Sequence, residues 1–152
     1  MSLEHLANLA DIIGLGLVIA SLIYVGKQLR QNTDTMRLNA AGSYVNLQER
    51  LCGEVANSRE LAEFWQKGAA QFAELDEVDR QRLLLFEWRA ITGWNQLFHL
   101  RQEGLMPESQ WNELVWAIKS FGARQSARES WRVFKGAFGK DFQDFVAEYL
   151  EP

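Results

Sequence analysis

Residues able to carry chemistry are few in this chain, and they are scattered. It has two histidines in 152 residues, His5 and His99, and a hydrophobic stretch lies between them. A di-iron carboxylate bundle repeats Glu-x-x-His on facing helices. Here Gln96-Leu-Phe-His99 has the spacing, but an amide replaces the carboxylate. His99 and Glu103 stand four apart and can pair on one helix face, so a structural histidine is expected. The lone cysteine, Cys52, lies among Leu51 and Val55 with no neighbouring histidine to make it a nucleophile, and it reads as a small core residue. Gly14-Leu-Gly16 lacks the strand context and the Gly-Lys-Ser/Thr of a phosphate loop. Glu87, inside an apolar stretch, is the one carboxylate expected to be partly buried, either paired with an arginine or at a helix edge. These residues predict no catalytic centre, no metal and no cofactor, and they specify no small-molecule ligand. One charged pattern remains. Arg124, Arg128, Arg132 and Lys135 recur at steps of four, four and three, opposite Trp131, Phe134 and Phe138. Such a basic stripe suits anionic headgroups or an acidic partner, each lipid contact contributing about 1 kcal/mol. The plainer alternative is a solvated helix face.

Around these residues the chain is organised by Ile12–Gly26, IIGLGLVIASLIYVG, which contains no formal charge. A span needs about 20 apolar residues to cross roughly 30 Å of hydrocarbon. Extending back to Leu6 gives a helix of roughly 31 Å at 1.5 Å per residue, with Asp11 near the headgroups. A secretory signal would open with a basic segment, yet MSLEHLANLAD has no Lys or Arg. A buried core helix is the other rival, and the length favours a span. All Lys and Arg follow the stretch, beginning with Lys27, Arg30 and Arg37. That asymmetry predicts a short N-terminus outside and the remainder in the cytoplasm, with Tyr24 as an interfacial aromatic. The expected division is residues 1–27 as tail and anchor and residues 28–152 as a cytoplasmic domain.

Small residues recur along one side of the anchor: Ala10, Gly14 and Ser21, together with Gly16 and Ala20. Ala10-x-x-x-Gly14 and Gly16-x-x-x-Ala20 match the small-xxx-small spacing that lets helices approach closely in lipid. Membrane lipid, a second copy of the chain or another membrane protein are therefore the expected partners.

The remaining composition is that of a helical domain. Six Trp and nine Phe supply a core, and the net charge is −4. Setting aside Glu4 and Asp11 leaves 18 acids against 16 bases, net −2, which excludes a general nucleic-acid binder. Apolar residues at Leu29, Met36, Ala40, Tyr44, Leu47, Leu51 and Val55 predict that the anchor helix continues toward Val55. Asn57 with Glu60 has capping-box spacing for a short helix to about residues 68–72. Asp76 with Asp79 begins a long helix, about 77–103, whose wide apolar sector predicts a central position. Gly104 ends it, and Pro107 sits in the first turn of the next helix. That helix carries Trp111, Leu114, Val115, Ile118 and Phe121. Helices over about 126–137 and from Phe142 to Tyr149 complete the chain. No stretch alternates with a period of two, so no sheet is predicted. The fold class is all-α: one transmembrane helix followed by a cytoplasmic bundle of four to six helices.

The segments SLIYVGKQLRQNT (Ser21–Thr33), SRELAEFWQKG (Ser58–Gly68), RLLLFEWRAITGWNQLFHLRQEGLMPESQW (Arg82–Trp111) and FGKDFQDFVAEYL (Phe138–Leu150) resemble a group of small bacterial proteins of unknown function. That resemblance implies a bacterial inner-membrane location, an N-terminal membrane helix and an all-helical cytoplasmic domain. It carries over no activity and no site residues. The expected role is non-catalytic, an accessory or scaffold subunit. The alternative is a homo-oligomeric channel or sensor in which Asn8 and Asp11 line an outer mouth.

Overall fold

The computed structural model describes Leu3 to Glu151, without the side chains of residues 3, 4, 6, 7 and 9–11. Among the described residues there are six α-helices and no strand. They are α1 (Leu3–Asn57), α2 (Arg59–Ala70), α3 (Glu77–Gln102), α4 (Glu108–Gly122), α5 (Gln125–Phe134) and α6 (Lys140–Leu150). Two 3-10 turns, Phe72–Glu74 and Lys135–Ala137, interrupt the linkers. The chain divides into two compact units, Met1–Leu38 and Asn39–Pro152, and α1 contributes residues to both.

In the first unit the helix is apolar all round. Ile12, Ile13, Leu15, Leu17 and Val18 are more than half exposed. At 100° per residue they point in every direction about the axis. An 18-residue window of α1 reaches a mean hydropathy of 1.8 with none of it buried. Among the described residues this is the one helix long and apolar enough to cross a membrane. Leu29 and Met36, expected at the head of the continuing stripe, are also exposed.

In the second unit the helix boundaries follow local chemistry. The first break falls at Ser58, whose extended backbone (φ −131°, ψ 111°) stops α1 and whose hydroxyl accepts from the Leu61 N–H at 3.1 Å. The cap of α2 is thus Ser58 and not the expected Asn57, which remains helical. Asp76 caps α3 by accepting from the Asp79 N–H at 2.9 Å. At the other end of α3, Gly104 takes φ +70°, the left-handed conformation that glycine adopts without a Cβ penalty. The Leu105 N–H then donates to the Leu100 carbonyl and the Gly104 N–H to the Arg101 carbonyl, the paired bonds of a Schellman motif. Pro107 is the cap of α4, one position before the expected first turn.

Leu83, Glu87, Ala90, Ile91, Trp94 and Leu97 are the buried residues of α3, one stripe at helical spacing. The sector is narrower than the sequence suggested, because Leu84, Trp88 and Phe98 are half-buried. This stripe packs chiefly on α5, while α4 packs on α6 and α2 on α5. Ala40, Tyr44 and Leu51 of α1 complete the core from one side. An aromatic group closes the far end. The Phe98 ring lies 5.1 Å from Phe145 and 5.5 Å from Phe142, and Trp131 stacks on Phe138 at 5.9 Å. Such offset and edge-on pairs each contribute about 0.5–1.5 kcal/mol beyond their buried area.

Candidate functional site

The polar centre of the second unit is an ion pair between Glu87 on α3 and Arg124 in the α4–α5 link. Glu87 is wholly buried and Arg124 is 8% exposed. Arg124 Nε donates to Glu87 Oε1 at 3.1 Å, and Ser126 Oγ donates to the same oxygen at 2.6 Å. Arg124 Nη2 donates to the Trp65 carbonyl at 2.6 Å, and the guanidinium lies 3.7 Å from the Trp65 ring centroid. Three helices thereby meet at one ion pair: α2 through the Trp65 carbonyl on Arg124, and α3 and α5 through Glu87 and the Ser126 hydroxyl. Burial pushes the Glu87 carboxyl above the usual range, against the opposing pull of Arg124 and the Ser126 hydroxyl. Glu87 Oε2 is buried with no hydrogen-bond partner.

Arg124 therefore leaves the basic stripe. α5 begins at Gln125, so Arg124 sits at its cap with extended backbone (φ −85°, ψ 135°) and off the helical face. Gly122, the last residue of α4, was the signal available in sequence: it starts a link in which helical spacing no longer applies. The other three residues point to different partners. Arg128 Nη1 donates to the Gly122 carbonyl at 2.8 Å. Exposed Arg132 pairs with Glu129 at 2.7 Å, and Lys135 pairs with Glu151 at 2.8 Å. The Arg132 and Lys135 side chains remain exposed beside these surface pairs. Lys135 also holds the Glu151 carboxyl below its ordinary value.

His99 is exposed, and its Nδ1 lies 3.3 Å from Gln102 Oε1, so it does not meet Glu103 as expected. Twelve residues along α3 separate Glu87 from His99, roughly 18 Å of helix, so the two do not share a site. Among the described residues, no three His, Cys, Asp or Glu side chains come together. Cys52 is exposed where a core position was expected, and its Sγ lies 3.8 Å from Gln48 Oε1.

On the membrane-type helix, a Cβ added at Gly14 or Gly16 meets nothing within 4 Å, so the chain itself does not cover these positions. The small residues do not form one side. At 100° per residue, Gly14 and Gly16 stand about 160° apart. Gly14 and Ser21 share one stripe, while Gly16 and Ala20 share another. Ser21 Oγ donates to the Leu17 carbonyl at 2.8 Å, which satisfies its hydroxyl within the helix. Asn8 is exposed, and the side chains of Ala10 and Asp11 lie outside the described residues.

Among the described residues two features stand out: every regular element is helical, and one helix has the length and hydropathy of a membrane span. Comparison with family models, curated proteins and solved structures finds no significant match to this chain.

Proposed function

We propose that this protein is a single-pass protein of the bacterial inner membrane, with a short N-terminus outside and a helical bundle in the cytoplasm. It acts there as a non-catalytic accessory or scaffold subunit. The observation that carries this reading is the helix through Ile12–Gly26, exposed and apolar on every side. A helix apolar all round is unstable in water unless lipid or protein surrounds it. The basic flank at Lys27, Arg30 and Arg37 supports the orientation. The two small-residue stripes supply the contacts, because uncovered glycines let a neighbouring backbone approach and increase dispersion contact in lipid. Two stripes on one helix accommodate two neighbours, either copies of this chain or other membrane proteins.

The test is the native mass of the full-length protein in mild detergent, with co-purifying proteins identified. A defined homo-oligomer or a stable hetero-complex is expected, weakened separately by Gly14→Leu and by Gly16→Leu. A monomer that co-purifies with nothing overturns the scaffold reading. Orientation is read at Cys52, the sole cysteine. A membrane-impermeant maleimide should label it in inverted vesicles and not in intact spheroplasts, and the reverse pattern refutes the topology.

A further inference from the structure

Within the second unit, a cavity of about 280 Å³ lies between the end of α1 and helices α2, α3 and α4. Large aromatic side chains wall one side: Trp65, Trp94 and Phe121. Their rings meet edge-on or tilted, Trp94 to Phe121 at 5.2 Å and 90° and Trp65 to Phe121 at 6.1 Å and 59°. These pairings brace the rings against one another and stop them from swinging into the space. The opposite wall is cut back. Gln48, Cys52 and Ala56 follow one another at steps of four on α1, and Ala117 faces in from α4. Three of these four side chains are small, so the void persists where leucines would fill it. The space opens to the surface along Cys52 and Ala56, which are exposed, and its apolar walls give water there few hydrogen-bond partners.

No residue lining the cavity carries a formal charge, so an ion would lose its hydration there without compensation. One uncharged polar group is provided for. The Gln48 amide donates to the Tyr44 hydroxyl at 3.3 Å and accepts from the Cys52 thiol, which leaves its second N–H for a ligand oxygen. Access is past Cys52, which is exposed. The volume equals about nine water molecules in the liquid, or roughly ten to fifteen non-hydrogen atoms at the tighter packing of an organic molecule. We propose that this cavity is a binding site for an uncharged, apolar small molecule of that size, either a short alkyl chain or a fused aromatic with at most one neutral oxygen.

The experiment uses the full-length protein in lipid nanodiscs, with 1-naphthol as probe and naphthalene-1-sulfonate as its charged counterpart. The readout is the rate of Cys52 alkylation by N-ethylmaleimide, followed by intact mass. Bound 1-naphthol should slow alkylation by 1 + [L]/Kd, about tenfold at about ten times its Kd, and the effect should saturate. The sulfonate should leave the rate unchanged. In Ala117→Phe the added ring occupies the space, and 1-naphthol should no longer alter the rate. Absence of saturable protection, equal protection by the sulfonate, or undiminished protection in a folded Ala117→Phe protein each overturns the proposal. Should Ala117→Phe fail to fold, as judged by circular dichroism, the comparison of naphthol with sulfonate on the unmodified chain decides alone.

Discussion

Replacing Arg124 by Leu removes the positive charge from the buried pair, leaves Glu87 wholly buried with no counter-charge, and takes the donor from the Trp65 carbonyl. Breaking one side of a buried ion pair costs about 3–5 kcal/mol, because the stranded charge cannot rehydrate. For a domain of this size that lowers the melting temperature by roughly 10–20 °C. Removing both partners in Glu87→Leu/Arg124→Leu relieves the stranded charge, so the double variant should be more stable than the two single losses together imply. The coupling should reach about 2 kcal/mol or more, as for residues in one network. The pH dependence has a definite sign. Burial holds the folded Glu87 pKa above its unfolded value, so between the two values the native state binds more protons than the unfolded chain. Stability contributed by Glu87 is then greatest in acid and falls as pH rises from the ordinary carboxylate range through the raised value. Glu87→Gln should lose that slope. The assay is urea denaturation of the full chain in mild detergent, followed by tryptophan fluorescence at several pH values. A loss below about 1 kcal/mol for Arg124→Leu, with additive single variants, would refute the clamp.

Gly122→Ala places a Cβ 2.4 Å from the Tyr149 backbone oxygen, so α4 and α6 must separate. The same denaturation assay should show a loss of about 1–3 kcal/mol, as overpacking gives. Gly136→Ala, where nothing lies within 4 Å, should leave the midpoint within about 0.5 kcal/mol of the parent. Ser58→Ala removes the hydroxyl that accepts from the Leu61 N–H, and about 1 kcal/mol should be lost. Hydrogen exchange should localise that loss to the first turn of α2, and Ser58→Asp should restore it.

Much of the fold was legible in the linear chain because helices announce themselves locally. Asp76, Gly104, Pro107 and Gly139 mark boundaries through their own backbone and side-chain chemistry, within a few residues of where the helices begin and end. The hydropathy of Ile12–Gly26 is likewise a property of consecutive residues, and it sets this stretch of α1 apart from the other described helices. Ser58 was harder to read because Asn57 and Ser58 are both good caps, and only the backbone break decides between them.

Tertiary structure decided which charges are buried and what they meet. Glu87 was recognisable as a carboxylate in apolar company. Its partners Arg124 and Ser126 lie 37 and 39 residues away, a separation that no helical period encodes. Arg124 looked like one of four evenly spaced bases because spacing was counted across the end of α4, where the turn of the chain resets the direction of every following side chain. The cavity beside Cys52 belongs to the same class. A void is a property of four helices together, set by the volumes that Trp65, Trp94, Phe121 and Ala117 leave unfilled. Sequence order thus determined the helices and the apolar span, through interactions within a turn or two of each residue. Long-range packing alone determined the buried ion pair and the cavity.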